Sequence, residues 1–176
     1  MKRILLTGLL CFAFGITSQS LMTSNFAYFV PVLFSLGVSI GNYNNFRINR
    51  LKGLVLHAVF SLAIFFLAIL FTLGASYVIG FAAVLASGVV AAVGLYLLDS
   101  LILKVERKGL GLIIILASST MVLLLLQALR MLYRNESNLI NEAELYVLIW
   151  MTLVGIGFGI ALNLKEESHP TTKPIS

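Results

Sequence analysis

Few side chains in this sequence can do chemistry, and they are scattered. Of its two histidines, His169 falls in a polar tail and His57 inside an apolar run. A histidine at that depth serves as a proton relay or a ligand, or stays a neutral imidazole bonded to a nearby carbonyl or hydroxyl. Asp99 is the one acid embedded in the long apolar stretch 77–103. Hydroxyls recur near the middle of successive apolar runs: Ser61, Ser87, Ser118, Ser119, Thr120 and Thr152. Such groups commonly bond back to their own helix, and where they converge they form a neutral binding site. The candidate ligand-binding residues are therefore His57, Ser87, Ser119, Thr120 and, further along its run, Gln127.

Other chemistries are missing. There is no HExxH, GxSxG or P-loop, and no acidic pair at metal-binding spacing. Cys11 is the only cysteine, so neither an internal disulfide nor a thiolate metal site is available. No catalytic set, metal or cofactor is expected.

The composition says what must position these groups. The chain is 60% hydrophobic and only 11% charged, against about 45–50% and about 25% for a soluble domain. A water-soluble fold would lack the polar surface to cover such a core. Soluble enzymes, nucleic-acid binders, disordered chains and disulfide scaffolds are excluded. The expected class is all-α: a single polytopic transmembrane bundle of about six helices, near 4–22, 26–43, 51–73, 77–103, 110–132 and 144–164, with a disordered tail at 165–176.

Two of these segments carry alternatives. The first, a basic start followed by an apolar run and small polar residues, also has the layout of a cleaved secretory signal, and a retained helix is favoured. The second is the weakest: residues 26–40 reach only about 23 Å, so a tilted or re-entrant segment competes with a full span. Between the third and fourth helices, Gly74, Ala75 and Ser76 form a very short expected link, with Gly74 as the cap. At the last helix, Asn141 and Glu144 fit an N-cap with an acidic first turn.

An even number of spans puts both termini on one side. That side then holds ten of the twelve Lys and Arg residues, and the other holds Arg130 and Arg134. The excess predicts cytoplasmic termini and a multi-pass protein of a bacterial inner membrane. The same rule accounts for the +5 net charge without invoking nucleic acid.

Depth arithmetic separates the two ionisable residues. With a hairpin tip at Ala75, His57 is level with Val93 and Asp99 with Leu51. The two then differ by six positions, about 9 Å, which argues against a dyad in straight helices. Asp99 is therefore expected at the rim beside Arg50, with Arg130 and Glu144 making a second rim network at the far end.

Nine of the 22 residues in 77–98 are Gly, Ala or Ser. Gly80, Ala83, Ser87, Ala91 and Gly94 fall on one seam, and Gly155 and Gly159 on another. Small residues let helix backbones approach closely, which predicts the fourth helix as the central packing element. The Phe-rich third and Leu-rich fifth helices would then face lipid more.

Two functions fit, and an enzyme ranks third. The first is a non-enzymatic subunit or accessory factor packed into a larger membrane complex, with lipid and a membrane-protein partner or second copy as its neighbours. The second is a transport component binding a small, neutral solute in the hydroxyl layer near His57.

Overall fold

The computed structural model describes residues 1–22, 27–80, 82–132 and 142–164. Six α-helices account for most of them: α1 (Lys2–Met22), α2 (Val30–Gly41), α3 (Arg50–Ile79), α4 (Ala82–Ile102), α5 (Lys108–Leu132) and α6 (Glu142–Ala161). The described residues contain no strand, only a single bridge between Phe46 and Leu103. All but α2 are long and apolar enough to cross a membrane. The tail 165–176, Arg134 and the cap residue Asn141 lie outside the described residues.

Each helix packs on its neighbours in sequence, and α6 closes the ring on α1. The α1–α6 interface is the most extensive, and α6 also reaches α2 and α4 across the ring. The central packing element is therefore α6, not α4. The cause is the glycine pattern. A β-carbon at Gly155 would collide with Cys11 Cβ, and one at Gly159 would come within 3.1 Å of the Ile4 backbone. Gly37 meets Cys11, and Gly41 meets Thr7, in the same way from α2. These glycines let α1, α2 and α6 close to backbone contact, where dispersion contacts are gained.

Helix α2 is shorter than the expected 26–43. It rises only about 18 Å, but short 3-10 turns at Ala27–Phe29 and Tyr43–Asn45 each add about 6 Å. At its far end Asn45 accepts a 2.6 Å hydrogen bond from Arg3 Nη1 at the start of α1. Pro31, in the first turn, removes no helical hydrogen bond.

The α3–α4 hairpin departs most from expectation. Gly74, Ala75 and Ser76 do not form the link; α3 runs through them to Ile79. A glycine inside a helix costs only about 1 kcal/mol relative to alanine, less than abandoning a turn of hydrogen bonds. The chain reverses instead at Gly80, the only described residue with a left-handed φ (58°), whose N–H bonds to Ser76 O at 3.0 Å.

One end of the bundle gathers the basic loops. Arg47 N bonds to Ile102 O at 3.0 Å and Lys104 N to Asn45 O at 2.8 Å, tying the α2–α3 and α4–α5 links together. Asn163 Nδ2 donates to Asn42 Oδ1 at 2.9 Å, and Asn45 Nδ2 to Leu162 O at 3.2 Å, fastening the end of α6 to the same layer. The outward faces are apolar, including Val59, Phe66, Leu67 and Leu70 on α3 and Ile113, Met121 and Leu124 on α5. This surface is compatible with a multi-pass membrane protein.

Candidate functional site

Three helix segments near the basic end bring polar side chains together inside an apolar core. His57 lies two turns into α3, Asp99 one turn from the end of α4, and Ser39 half a turn from the end of α2. Ser39 Oγ and His57 Nδ1 are 2.6 Å apart, a hydrogen bond. On the other side of the ring, His57 Nε2 approaches Asp99 Oδ1 to 3.0 Å. All three residues are 0% exposed. The Nε2–Oδ1 approach lacks in-line hydrogen-bond geometry, so neither carboxylate oxygen of Asp99 is hydrogen-bonded. A buried carboxylate in that condition carries a large desolvation cost, which only a nearby positive charge or a proton relieves.

This placement corrects the expected rim pair. Asp99 does not reach Arg50, whose guanidinium lies 5.2 Å from the centre of the Tyr43 ring. The register explains why. Ile64 packs where a β-carbon of Gly94 would point, and His57 meets Asp99. The midpoints of these pairs are residues 79 and 78. Moving the centre of the hairpin from 75 to 78 shifts every cross-helix partner by six positions, and Asp99 becomes level with His57.

One turn from this layer, toward the opposite end, a cavity of about 170 Å³ opens between α2, α3, α4 and α6. Pro31, Phe34, Ile64, Ala68, Leu95 and Trp150 contribute apolar walls. Its polar features are few. Ser87 Oγ is turned back onto Val84 O at 2.7 Å, and Thr72 Oγ1 onto Ala68 O at 2.8 Å. Trp150 Nε1 donates to Gly88 O at 3.1 Å. Gly88 also leaves the space that the Tyr146 hydroxyl fills, since a β-carbon there would collide with it. Ser61 is different. It is 1% exposed, it lines the cavity, and its hydroxyl has no hydrogen-bond partner. It stands one turn from His57 on α3, as the lining residue Leu95 stands one turn from Asp99 on α4.

The hydroxyl layer does not converge as a whole. Ser61 and Ser87 line the cavity, whereas Ser119 is buried in α5 and bonds to Ile115 O at 2.8 Å. Thr120 is exposed and bonds to Leu116 O at 2.8 Å, and Gln127 is exposed on α5. His57 lies behind the cavity rather than in its wall. Arg130 falls on α5, and Glu144 on the first turn of α6.

Of the α4 seam, Ala83 is buried, Ser87 and Ala91 face the cavity, Gly94 meets Ile64, and Gly80 makes the turn. Much of the seam thus borders space instead of closing it.

Three residues of the site escaped the sequence reading. Ser39 lies in the least convincing span, and its match to His57 follows only from the α2–α3 contact. Trp150 and Tyr146 read as ordinary aromatic residues, and only the position of Gly88 on the facing helix gives their polar atoms a place. The chain matches no protein-family model, no curated protein and no solved structure.

Proposed function

We propose that the chain is an integral membrane protein with both termini cytoplasmic that binds a small, mainly apolar, neutral molecule in the cavity between α2, α3, α4 and α6 and serves as a transport component. The observation that carries this reading is the unsatisfied Ser61 hydroxyl at the inner end of an otherwise apolar cavity. Apolar walls with one or two placed polar groups are the usual makeup of small-molecule sites. A void of this size accepts a molecule about as large as benzene, and Ser61 supplies one hydrogen bond to orient it.

A subunit packed against another membrane protein would use glycine seams open at the surface. Gly37, Gly155 and Gly159 are instead occupied by Cys11 and the start of α1. The Ser39–His57–Asp99 chain resembles the order of a hydrolytic triad, yet none of the three lines the cavity, so a substrate held there would not reach them. Eight Lys and Arg residues between positions 2 and 108 sit at or beside the bundle end tied together by Arg3, Arg47 and Lys104, which supports a cytoplasmic placement of that end.

Trp150 is the only tryptophan and touches the cavity, so its fluorescence reports occupancy. Titration of detergent-solubilised protein with bromobenzyl alcohol, whose bromine quenches at contact, is expected to give saturable quenching that Ser87→Leu removes by filling the space. Quenching that rises without saturation, equally in both proteins, would reflect partition into the detergent and would overturn the reading. Orientation is tested in cells with impermeant thiol reagents: Tyr77→Cys is expected to label and Lys108→Cys to be protected.

A further inference from the structure

We infer that the occupant of the cavity is a neutral single-chain lipid that enters sideways from the bilayer, with its polar group on Ser61 and its chain leaving between α2 and α3. The inference rests on the cavity reading above and adds the class of ligand and its route.

The walls give the route. Four helices surround the cavity, and three of the four seams between them are sealed. Ile64 of α3 packs where a β-carbon of Gly94 on α4 would point. The Tyr146 hydroxyl and the Trp150 indole of α6 both seat on Gly88 of α4. The Phe34 ring of α2 lies 5.0 Å from the Trp150 ring of α6, centre to centre. The seam between α2 and α3 is fastened at its inner end, where Ser39 bonds to His57. These two helices run antiparallel, so Val30, nine positions before Ser39, is level with Phe66, nine positions after His57. Helix α2 begins at Val30, whereas the α3 wall of the cavity continues to Thr72, six positions beyond Phe66 and about 9 Å further out. The 3-10 turn Ala27–Phe29 packs on α1 and α2 more than on α3. Among the described residues, no helix covers α2's side of the cavity over that stretch.

The gap faces lipid. Ile69 lines the cavity and is itself exposed, on the same face of α3 as the exposed Phe66, Leu70 and Leu73. A polar solute would have to shed its hydration in hydrocarbon before reaching this opening. A molecule already dissolved in the bilayer would not. Toward the basic end the cavity stops at the buried Ser39–His57–Asp99 layer, and beyond that layer the Phe46 ring fills the space over Gly53.

Shape and polarity give the class. The lining spans eleven positions of α3, Ser61 to Thr72, and eleven of α4, Val84 to Leu95, or about 16 Å along the bundle. Packed helices stand only about 8–10 Å apart, axis to axis, so the space is longer than it is wide, which suits an alkyl chain. No described lining residue is charged, so an ionised or zwitterionic head group finds no partner inside. Ser61, at the inner end, is 1% exposed and its hydroxyl lacks a partner. A hydroxyl both donates and accepts, so it can hold an alcohol or a carbonyl. A chain ending in one such group satisfies Ser61, covers the apolar walls and emerges through the α2–α3 gap into lipid.

The test uses the full chain in phosphatidylcholine vesicles, because detergents are themselves single-chain amphiphiles. Gly88, to which Trp150 is bonded, stands seven positions from Leu95, about 10 Å outward from the level of Ser61. Dodecanol brominated in mid-chain is therefore expected to quench Trp150 saturably, and more strongly than dodecanol brominated beside its hydroxyl. Unlabelled dodecanol is expected to displace it, and Ser61→Ala to weaken that competition about fivefold, the worth of one hydrogen bond. Octadecanol is expected to compete as well as dodecanol, since the added length lies in the bilayer. Saturable binding of bromobenzyl alcohol that dodecanol neither mimics nor displaces would overturn the chain site and leave the cavity reading standing. Absence of saturable quenching by either compound would overturn both. Loss of competition on lengthening the chain would mean a closed seam and overturn the route. Stronger quenching by bromine beside the hydroxyl, or competition unchanged in Ser61→Ala, would overturn the assignment of the polar group to Ser61.

Discussion

Small residues serve opposite ends in the two sides of this bundle. Where α1, α2 and α6 meet, glycines admit the atoms of a facing helix and close the space: Gly37 and Gly155 both take Cys11, and Gly159 takes the Ile4 backbone. Where α4 faces α3 and α6, Ser87, Gly88 and Ala91 border a void. The difference does not lie in the stripes themselves, which read alike in sequence. It lies in what stands opposite. Cys11 and Thr7 are compact, and their helix can move in until backbones touch. Opposite Ser87 and Ala91 stand Phe65, Ile64 and Trp150, which line the void together with them. A stripe of small residues therefore closes where a facing helix seats atoms directly on it, as Cys11 does at Gly37 and Gly155, and borders space where none is seated.

The largest effect is expected at the polar layer that lies next to the void. Asp99→Leu alone leaves His57 Nε2 with an apolar neighbour and strains the pair's apolar surroundings. Removing one partner of a buried pair typically costs about 3–5 kcal/mol. The double substitution His57→Met with Asp99→Leu removes both charges and should recover most of that loss, because a buried pair replaced by apolar groups is often neutral or stabilising. Thermal unfolding of the single and double variants in one detergent checks this. A double variant no more stable than Asp99→Leu would show that the layer stabilises the fold through something other than mutual neutralisation.

Next comes the closed side. Gly155→Leu places a branched side chain where even a β-carbon meets Cys11 Cβ and Sγ. Overpacking of this kind costs roughly 1–3 kcal/mol, and the expected outcome is a clear drop in melting temperature. Gly155→Leu combined with Cys11→Ala should regain part of it, since the sulfur is the nearest side-chain obstacle. An unchanged melting point in the single variant would mean that α1 and α6 are not in backbone contact.

These expectations also show what the sequence could convey. The all-helical class, the six apolar segments and the clustering of basic loops are legible because each follows from composition and local spacing, which neighbouring helices do not alter. Helix ends set by several weak signals were less legible. Gly74, Ala75 and Ser76 look like a link, but glycine stops a helix only where its φ turns positive, and that happens at Gly80. This single displacement moved Asp99 from the core to the rim and concealed the pair. Ser39 was hidden for another reason: its role depends on α2 packing against α3, a contact between segments 18 residues apart that no periodicity records. Ser61 was visible as one hydroxyl of a mid-helix layer, but sequence could not say that it alone would lack a carbonyl partner. Its neighbours Ser118 and Thr152 found theirs at Ile115 and Leu148.

The smallest effect belongs to the open side, and its size separates the two meanings of the α4 stripe. If Ser87 were a point of helix contact, Ser87→Leu would overpack like Gly155→Leu and lower stability by a similar amount. Ser87 instead borders the cavity, and its hydroxyl is already satisfied by Val84 O. Leucine there extends into empty space and gains contacts with Phe65 and Ile64, while the lost hydroxyl leaves behind a carbonyl that still has its helical partner. The gain and the mismatch of shape oppose each other, and the net change is expected within about 1 kcal/mol of zero. Leu67→Ala provides the scale. Leu67 is 58% exposed on the outer face of α3, and a surface substitution of this type changes stability by about 0.5 kcal/mol or less. Both variants, measured with Gly155→Leu in the same detergent, should fall close together and well above it in melting temperature. A Ser87→Leu protein that unfolds as early as Gly155→Leu would mean that the helices around the cavity are in contact and that no space exists there to hold a ligand.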